Sequence, residues 1–207
     1  QIGLTDLNGV MRGKTMAVPK FIAALDSGLG FCDVVVGTDI DDQLCDGMRF
    51  TGWHSGYPDA PIEVVSDSGR MVPWADNQPF FLTQFAPSHN QLCPRSILAQ
   101  VCARAKERGF TAFGSLEFEF SVFADSIHQL HDSNFQSLHT ITPANCGYSV
   151  LRSSTYDEFH QGLWNMCQIM DIPLEGLHTE IGPGVLEAAL CYDQALEAAD
   201  RAVLFKT

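Results

Sequence analysis

The sequence predicts an α+β fold in two parts, and three observations carry the prediction. Near the front, an Asn8-Gly9 turn joins two strand-like runs that lead into a helix opened by Pro19, and this order of hairpin, helix and strand matches a β-grasp. The polar, proline-bearing stretch APSHNQLCPRS then interrupts the pattern and sets a domain boundary, dividing residues 1–90 from 91–207. Beyond it, FGSLEFEFSVF alternates apolar Leu116, Phe118, Phe120 and Val122 with Glu117, Glu119 and Ser121, the period of a strand with one buried face.

Each element follows from local chemistry. A strand begins at Ile2, turns at Asn8-Gly9 and returns in a second strand to Val18. Pro19 starts a helix that closes near Gly28. Strands are expected over residues 32–37, 61–65 and 80–85. In the second part, a helix over 96–108 stops at Gly109, the strand bearing Glu117 and Glu119 follows, and a loop runs from about 125 to 145. A strand around 148–151 precedes a helix from Thr155, where Phe159, Leu163, Met166, Cys167 and Met170 recur at helical spacing and Pro173 ends the run. This stripe reads as core. No internal repeat or low-complexity tract is present.

Composition narrows the function classes. With 207 residues, 45% of them hydrophobic and 18% charged, the chain buries a real core in one large or two small domains. Its 25 acidic against 12 basic residues give a formal charge of −13, which argues against nucleic acid and anionic membrane surfaces as partners. Seven cysteines form no CxxC pair, and several lie in apolar periodic segments, which points to a reducing cytoplasm. Neither a signal peptide nor a membrane-spanning run is evident. Gln1 opens directly in an apolar strand and Thr207 closes in a continuing helical pattern, so the sequence reads as a piece of a longer protein.

The chemistry lies in glutamates. Glu117 and Glu119 point the same way from their strand, and Gly182-Pro183-Gly184 allows a turn that brings Glu180 and Glu187 onto facing positions. Converging hard oxygen ligands suit Mg2+ or Mn2+ and resemble half of a two-metal phosphoryl-transfer site. Alternating glutamates on a strand are also what a solvated face looks like. His128, His131 and His139 read as a solvated loop rather than a zinc site, and His178 as a residue facing away or a supporting donor. Lys14 and Arg152 stand isolated. There is no GxxxxGK[ST] loop, so a bound nucleotide is not held by a P-loop.

Three ordered stretches, Gly114-Ser-Leu-Glu117-Phe-Glu119-Phe, the run from Glu175 to Glu187 and ALEAADRAVLFKT at 195–207, resemble the glutamine synthetase family. LTDLNGVMRGK at 4–14 resembles the first hairpin of that family's N-terminal β-grasp domain. The resemblance implies a β-grasp domain followed by the first part of a catalytic α/β domain with a mainly antiparallel curved sheet. It also implies an ATP-dependent ligase that phosphorylates the side-chain carboxylate of glutamate, for attack by ammonia or an amine. Carried over by motif, Glu119, Glu180 and Glu187 hold the ion nearer the substrate, Glu117 is a ligand of the nucleotide-side ion, and Glu175 contacts nucleotide. Ring-shaped homo-oligomers are implied as well. The rest of the second ion's shell and the substrate arginines are expected beyond Thr207, so residues 1–207 alone are expected to bind the ion weakly, without turnover. The match is looser between Asp39 and Asp76, where Asp41, Asp42 or Asp46 stands in for an interface-loop acid. TGWHSGYPDAP at 51–61 resembles a divergent branch, which leaves ammonia, an alkylamine or a polyamine as acceptor and a non-catalytic relative as a further reading.

Overall fold

Gly9 adopts φ +73°, a conformation that costs glycine little, and the turn joins β1 (Ile2–Thr5) to β2 (Met11–Lys14). Asp6 stabilises it from within. Its Oδ1 accepts from the backbone N–H of Asn8 (2.8 Å) and Val10 (2.9 Å), while Arg12 Nε donates to Oδ2 at 2.8 Å. Helix α1 (Val18–Ser27) carries Pro19 in its first turn and ends at Gly28, whose φ is +65°. Then come β3 (Leu29–Cys32), β4 (Asp59–Val64), β5 (Arg70–Val72) and β6 (Gln78–Phe85). The sheet runs β2-β1-β6-β4-β3 with β5 on β6, and β1 and β6 are parallel while the other pairs are antiparallel. Ile2, Leu4, Phe31, Val36, Ala60, Ile62, Phe85 and Cys93 form its core.

This computed structural model describes residues 1–207, in two compact units. The sheet just described belongs to the first, which comprises Gln1–Phe113 and Gln194–Thr207. In the same unit, α2 (Pro94–Glu107) and α6 (Ala195–Lys206) pack together. The second unit is Gly114–Asp193, and the chain passes between the two at the two-residue strands β7 (Phe113–Gly114) and β11 (Asp193–Gln194). A domain division at 90/91 remains our proposal; these units divide the chain elsewhere.

The second unit is built on an antiparallel sheet, β8 (Glu117–Ser121), β10 (Val185–Leu190) and β9 (Leu174–Thr179), in that spatial order. Leu186, Ala188 and Leu190 are buried on one face of β10. Helix α5 (Asp157–Ile169) packs against β9, with Asp157 and Glu158 in its first turn where the helix dipole favours acids. Of the expected stripe, Cys167 and Met170 are buried, whereas Phe159 and Met166 stay open to solvent. Burial pushes the Cys167 thiol up to about 11, so it is a packed, inert thiol.

The α+β class is what is observed, and no helix is long and apolar enough to cross a membrane. Several element boundaries differ from expectation for local reasons. Residues 33–36 form a 3-10 turn, not a strand, where buried Asp33 accepts from Thr51 Oγ1 at 2.7 Å. The second strand ends at Lys14, not Val18, because Val18 already begins the proline-led helix. Inside the expected 125–145 loop lies α3 (Ile127–Asp132), started by a reciprocal Ser126–Gln129 capping box. The strand expected over 148–151 is absent. Tyr148 takes φ +57°, which breaks extension, and α4 (Val150–Ser153) begins with Ser149 Oγ accepting from the N–H of Arg152.

Candidate metal centre

Strand β10 organises the site. Glu187 pairs with Glu119 of β8 on one side and with His178 of β9 on the other. Directly paired residues of antiparallel strands share a face, so the three side chains form a row across one side of the sheet. Glu180 lies two residues past His178 and therefore on the same face, and its N–H donates to Val185 O at 2.9 Å. The turn after it needs its glycine. Gly184 has φ +69°, and a Cβ there would stand 2.8 Å from Val122 O and 2.7 Å from Thr140 Cβ. Its N–H is bound by the hydroxyl of Thr142 at 2.5 Å.

The register corrects one expectation. Glu187 faces His178 rather than Glu180, which sits opposite Val185 instead. His178 thus falls between the two glutamates, its Nε2 3.4 Å from Glu187 Oε1 and its Nδ1 3.9 Å from Glu180 Oε2. One ligand atom from each of His178, Glu180 and Glu187 lies within 4.8 Å of the other two. Glu117 pairs with Ala189, one row along the same face. Glu175 lies where the β9–β10 register shifts, between Leu174 opposite Leu190 and Gly176 opposite Ala189, and such an irregularity re-aims a side chain.

Tyr148 was not foreseen. Its ring stacks on His178 with centroids 4.7 Å apart and planes at 29°. Its hydroxyl bonds to Glu180, and this contact, with the Ile181 N–H donating to Glu180 Oε1 at 2.9 Å and the nearby His178, holds the Glu180 carboxyl below its ordinary range. The same bond, together with the charges of Glu180, Glu187 and Glu119, raises the Tyr148 phenol. For Tyr148 the sequence carries no signal, since a left-handed residue in a loop has no periodicity. His178 does have one: it alternates with Thr179 before Glu180, so a strand places it on the glutamate face.

The arrangement fits a divalent cation. The side chains of Glu180 and Glu187 are only 13% and 18% exposed, and the cation-capable group beside both is an imidazole rather than a lysine or arginine. Like charges drawn together under partial burial repel until a cation joins them. Elsewhere, His128 and His131 lie on α3 and His139 pairs with Asp125 at 2.7 Å, apart from the glutamate group. Of the interface-loop candidates, Asp42 pairs with Arg12, while Asp41 and Asp46 lie exposed in the same loop region.

Comparison with known proteins agrees on one family. Residues 91–207 match the family described as glutamine synthetase, catalytic domain. The chain is 40% identical over 209 residues to type-1 glutamine synthetase 2 of Dictyostelium discoideum, covering 100% of this chain and 40% of that protein. It is 32% identical over 211 residues to the glutamate–isopropylamine ligase of a Pseudomonas species, covering 100% of this chain and 46% of that one. Among solved structures, a complex of GmaS with ADP superposes with a TM-score of 0.75 at 21% identity, over 99% of this chain and 44% of the other. The chain therefore spans less than half the length of the curated relatives it matches.

Proposed function

The chain belongs to the glutamine synthetase family, and on that premise we propose that the protein is an ATP-dependent carbon–nitrogen ligase. In this reading it joins glutamate to ammonia through a γ-glutamyl phosphate, using two divalent ions, Mg2+ or Mn2+. The observation that carries it is the row Glu119–Glu187–His178 with Glu180 beside it, acidic and matched to an ion by its donor atoms, with His178, Glu180 and Glu187 partly buried and Glu119 exposed. Glu119, Glu180 and Glu187 are assigned to the ion nearer the substrate, Glu117 to the nucleotide-side ion and Glu175 to the nucleotide.

The chain's own residues do three things. Across the β-sheet, the strands fix the carboxylates before any ligand arrives, so little reorganisation is left for the reaction itself. Tyr148 and the Ile181 N–H keep Glu180 ionised and aimed. Apolar Leu186, Ala188 and Leu190 on the opposite face hold β10 in register. When bound, the ions supply charge neutralisation to the phosphates and to the transferring group.

A second reading keeps the chemistry and replaces ammonia by an amine. It is favoured by relatives whose names specify isopropylamine and, for the γ-glutamylethanolamide synthetase of Streptomyces coelicolor at 27% identity, ethanolamide. A ring-like homo-oligomer and a cytoplasmic setting, consistent with seven free cysteines, complete the proposal. Residues 1–207 by themselves are proposed to bind the ion weakly and not to turn over. The test is phosphate release by the full-length protein with ATP, glutamate and either ammonium, isopropylamine, ethanolamine or putrescine. Glu119→Ala is expected to abolish release and leave the circular dichroism spectrum unchanged. Undiminished turnover in that variant would remove the assignment, and the preferred nitrogen donor decides between the two readings.

A further inference from the structure

Resting on the metal-dependent reading above, we propose that His178 is itself a ligand of the substrate-side ion, through Nε2, making this an oxygen-and-nitrogen site that favours Mn2+ over Mg2+. Nδ1 of His178 lies 3.3 Å from the carbonyl oxygen of Thr179, a contact that turns the opposite ring nitrogen, Nε2, toward the glutamates. Nε2 faces Glu187 Oε1 at 3.4 Å. One ligand atom from each of His178, Glu180 and Glu187 lies within 4.8 Å of the other two, close enough for a single ion to join all three.

The surroundings hold the ring in that pose. Tyr148 stacks on one face, and the pairing of His178 with Glu187 fixes its strand position. Fixing a histidine by a bond from its other nitrogen to a carbonyl is the outer-shell arrangement that metal-bound imidazoles use. Two donors on one divalent ion at about 2.1 Å each stand about 3 Å apart, so the observed separation needs only a small closure. An imidazole donor shifts preference away from Mg2+, which takes oxygen, and toward Mn2+ and later divalent ions. The competing arrangement is an imidazolium paired with Glu187, with the ion held by carboxylates alone.

Electron spin echo spectroscopy of Mn2+ bound to the full-length protein separates them, because a directly bound imidazole nitrogen modulates the manganese signal. The expected result is a set of nitrogen lines that His178→Gln removes and that change when histidine is labelled with 15N in the unsubstituted protein, a control that needs no substitution. In parallel, titration with Mn2+ and with Mg2+ alone should show the affinity ratio falling by about tenfold or more in His178→Gln. Nitrogen lines and an affinity ratio unchanged by His178→Gln would overturn the ligand assignment while leaving the metal-dependent reading intact. Mn2+ affinity that neither Glu187→Gln nor Glu119→Ala weakens would sink both.

Discussion

Replacing Arg95 by methionine isolates the buried charge that docks α6. Arg95 Nε donates to both oxygens of Asp200 (2.9 and 3.1 Å), Nη2 donates to Oδ2 at 2.9 Å, and Nη1 reaches Gln84 Oε1 at 2.6 Å. The two side chains are 18% and 12% exposed, so water repairs little once the guanidinium is gone. Methionine keeps most of the apolar stem, leaving the lost charge as the main change. Removing one partner of such a pair costs about 3 to 5 kcal/mol, most of it from the stranded carboxylate. Burial already raises the Asp200 carboxyl above its ordinary value of 3.8, with Arg95 opposing the rise and Asp67 adding to it. Without Arg95 it rises further. A carboxyl raised in the folded state contributes stability that is fully present below its unfolded value and is lost as pH climbs through its folded value. The deficit of Arg95→Met should therefore be small near pH 4 and complete at pH 7.5. Hydrogen exchange of α2 and α6 in the full-length protein at both pH values measures it, and Arg95→Met with Asp200→Leu should recover most of the loss. A deficit under about 1 kcal/mol, or one independent of pH, would refute the stranded-charge argument.

Three further outcomes are expected. Gly184→Ala should cost about 2 to 4 kcal/mol, from a positive φ and the close approach to Val122 O and Thr140, and an unchanged melting temperature would discount that contact. Ser126→Ala removes the capping box of α3 and should cost about 1 kcal/mol, seen as faster amide exchange from Gln129 onward. Asp125 is held below its ordinary range first by the side-chain bond to His139 and then by that residue's N–H, so its contribution is present above its unfolded value of 3.8 and lost as pH falls through its folded value. The His139 amide resonance should report this opening below about pH 4, and Asp125→Asn should abolish the acid transition.

What the sequence disclosed and what it hid divide along a physical line. Period-2 alternation marked β8 and placed Glu117 and Glu119 on one face, because side-chain direction in a strand is set by the backbone alone. Asn8-Gly9, Pro19 and Gly28 marked the first hairpin and helix for equally local reasons. The β9–β10 register was not local. Val185, not Glu187, answers Glu180, since the turn closes tightly over Gly182 and Gly184. A turn two residues longer in all would have given the expected pairing, and nothing in GPG alone distinguishes the two. Tyr148 shows the same limit more strongly. Its left-handed backbone ended a run that had looked extended and turned the ring onto His178, a contact 30 residues away in sequence.

Strand β10 shows why the candidate site and the core of its unit stand or fall together. Leu186, Ala188 and Leu190 are almost fully buried, and Glu187 projects from between them to the opposite face. A slip of one residue would bury Glu187 and expose all three apolar side chains, so the packing that specifies the register also specifies where the carboxylate stands. Ala188 is 0% exposed, which leaves no room for a larger side chain at the position next to the acid. Packing on one face thus offsets the repulsion that convergent glutamates impose on the other. In the proposed function, an ion at Glu119, Glu180 and Glu187 would meet carboxylates whose strand positions are specified by the core packing of β10.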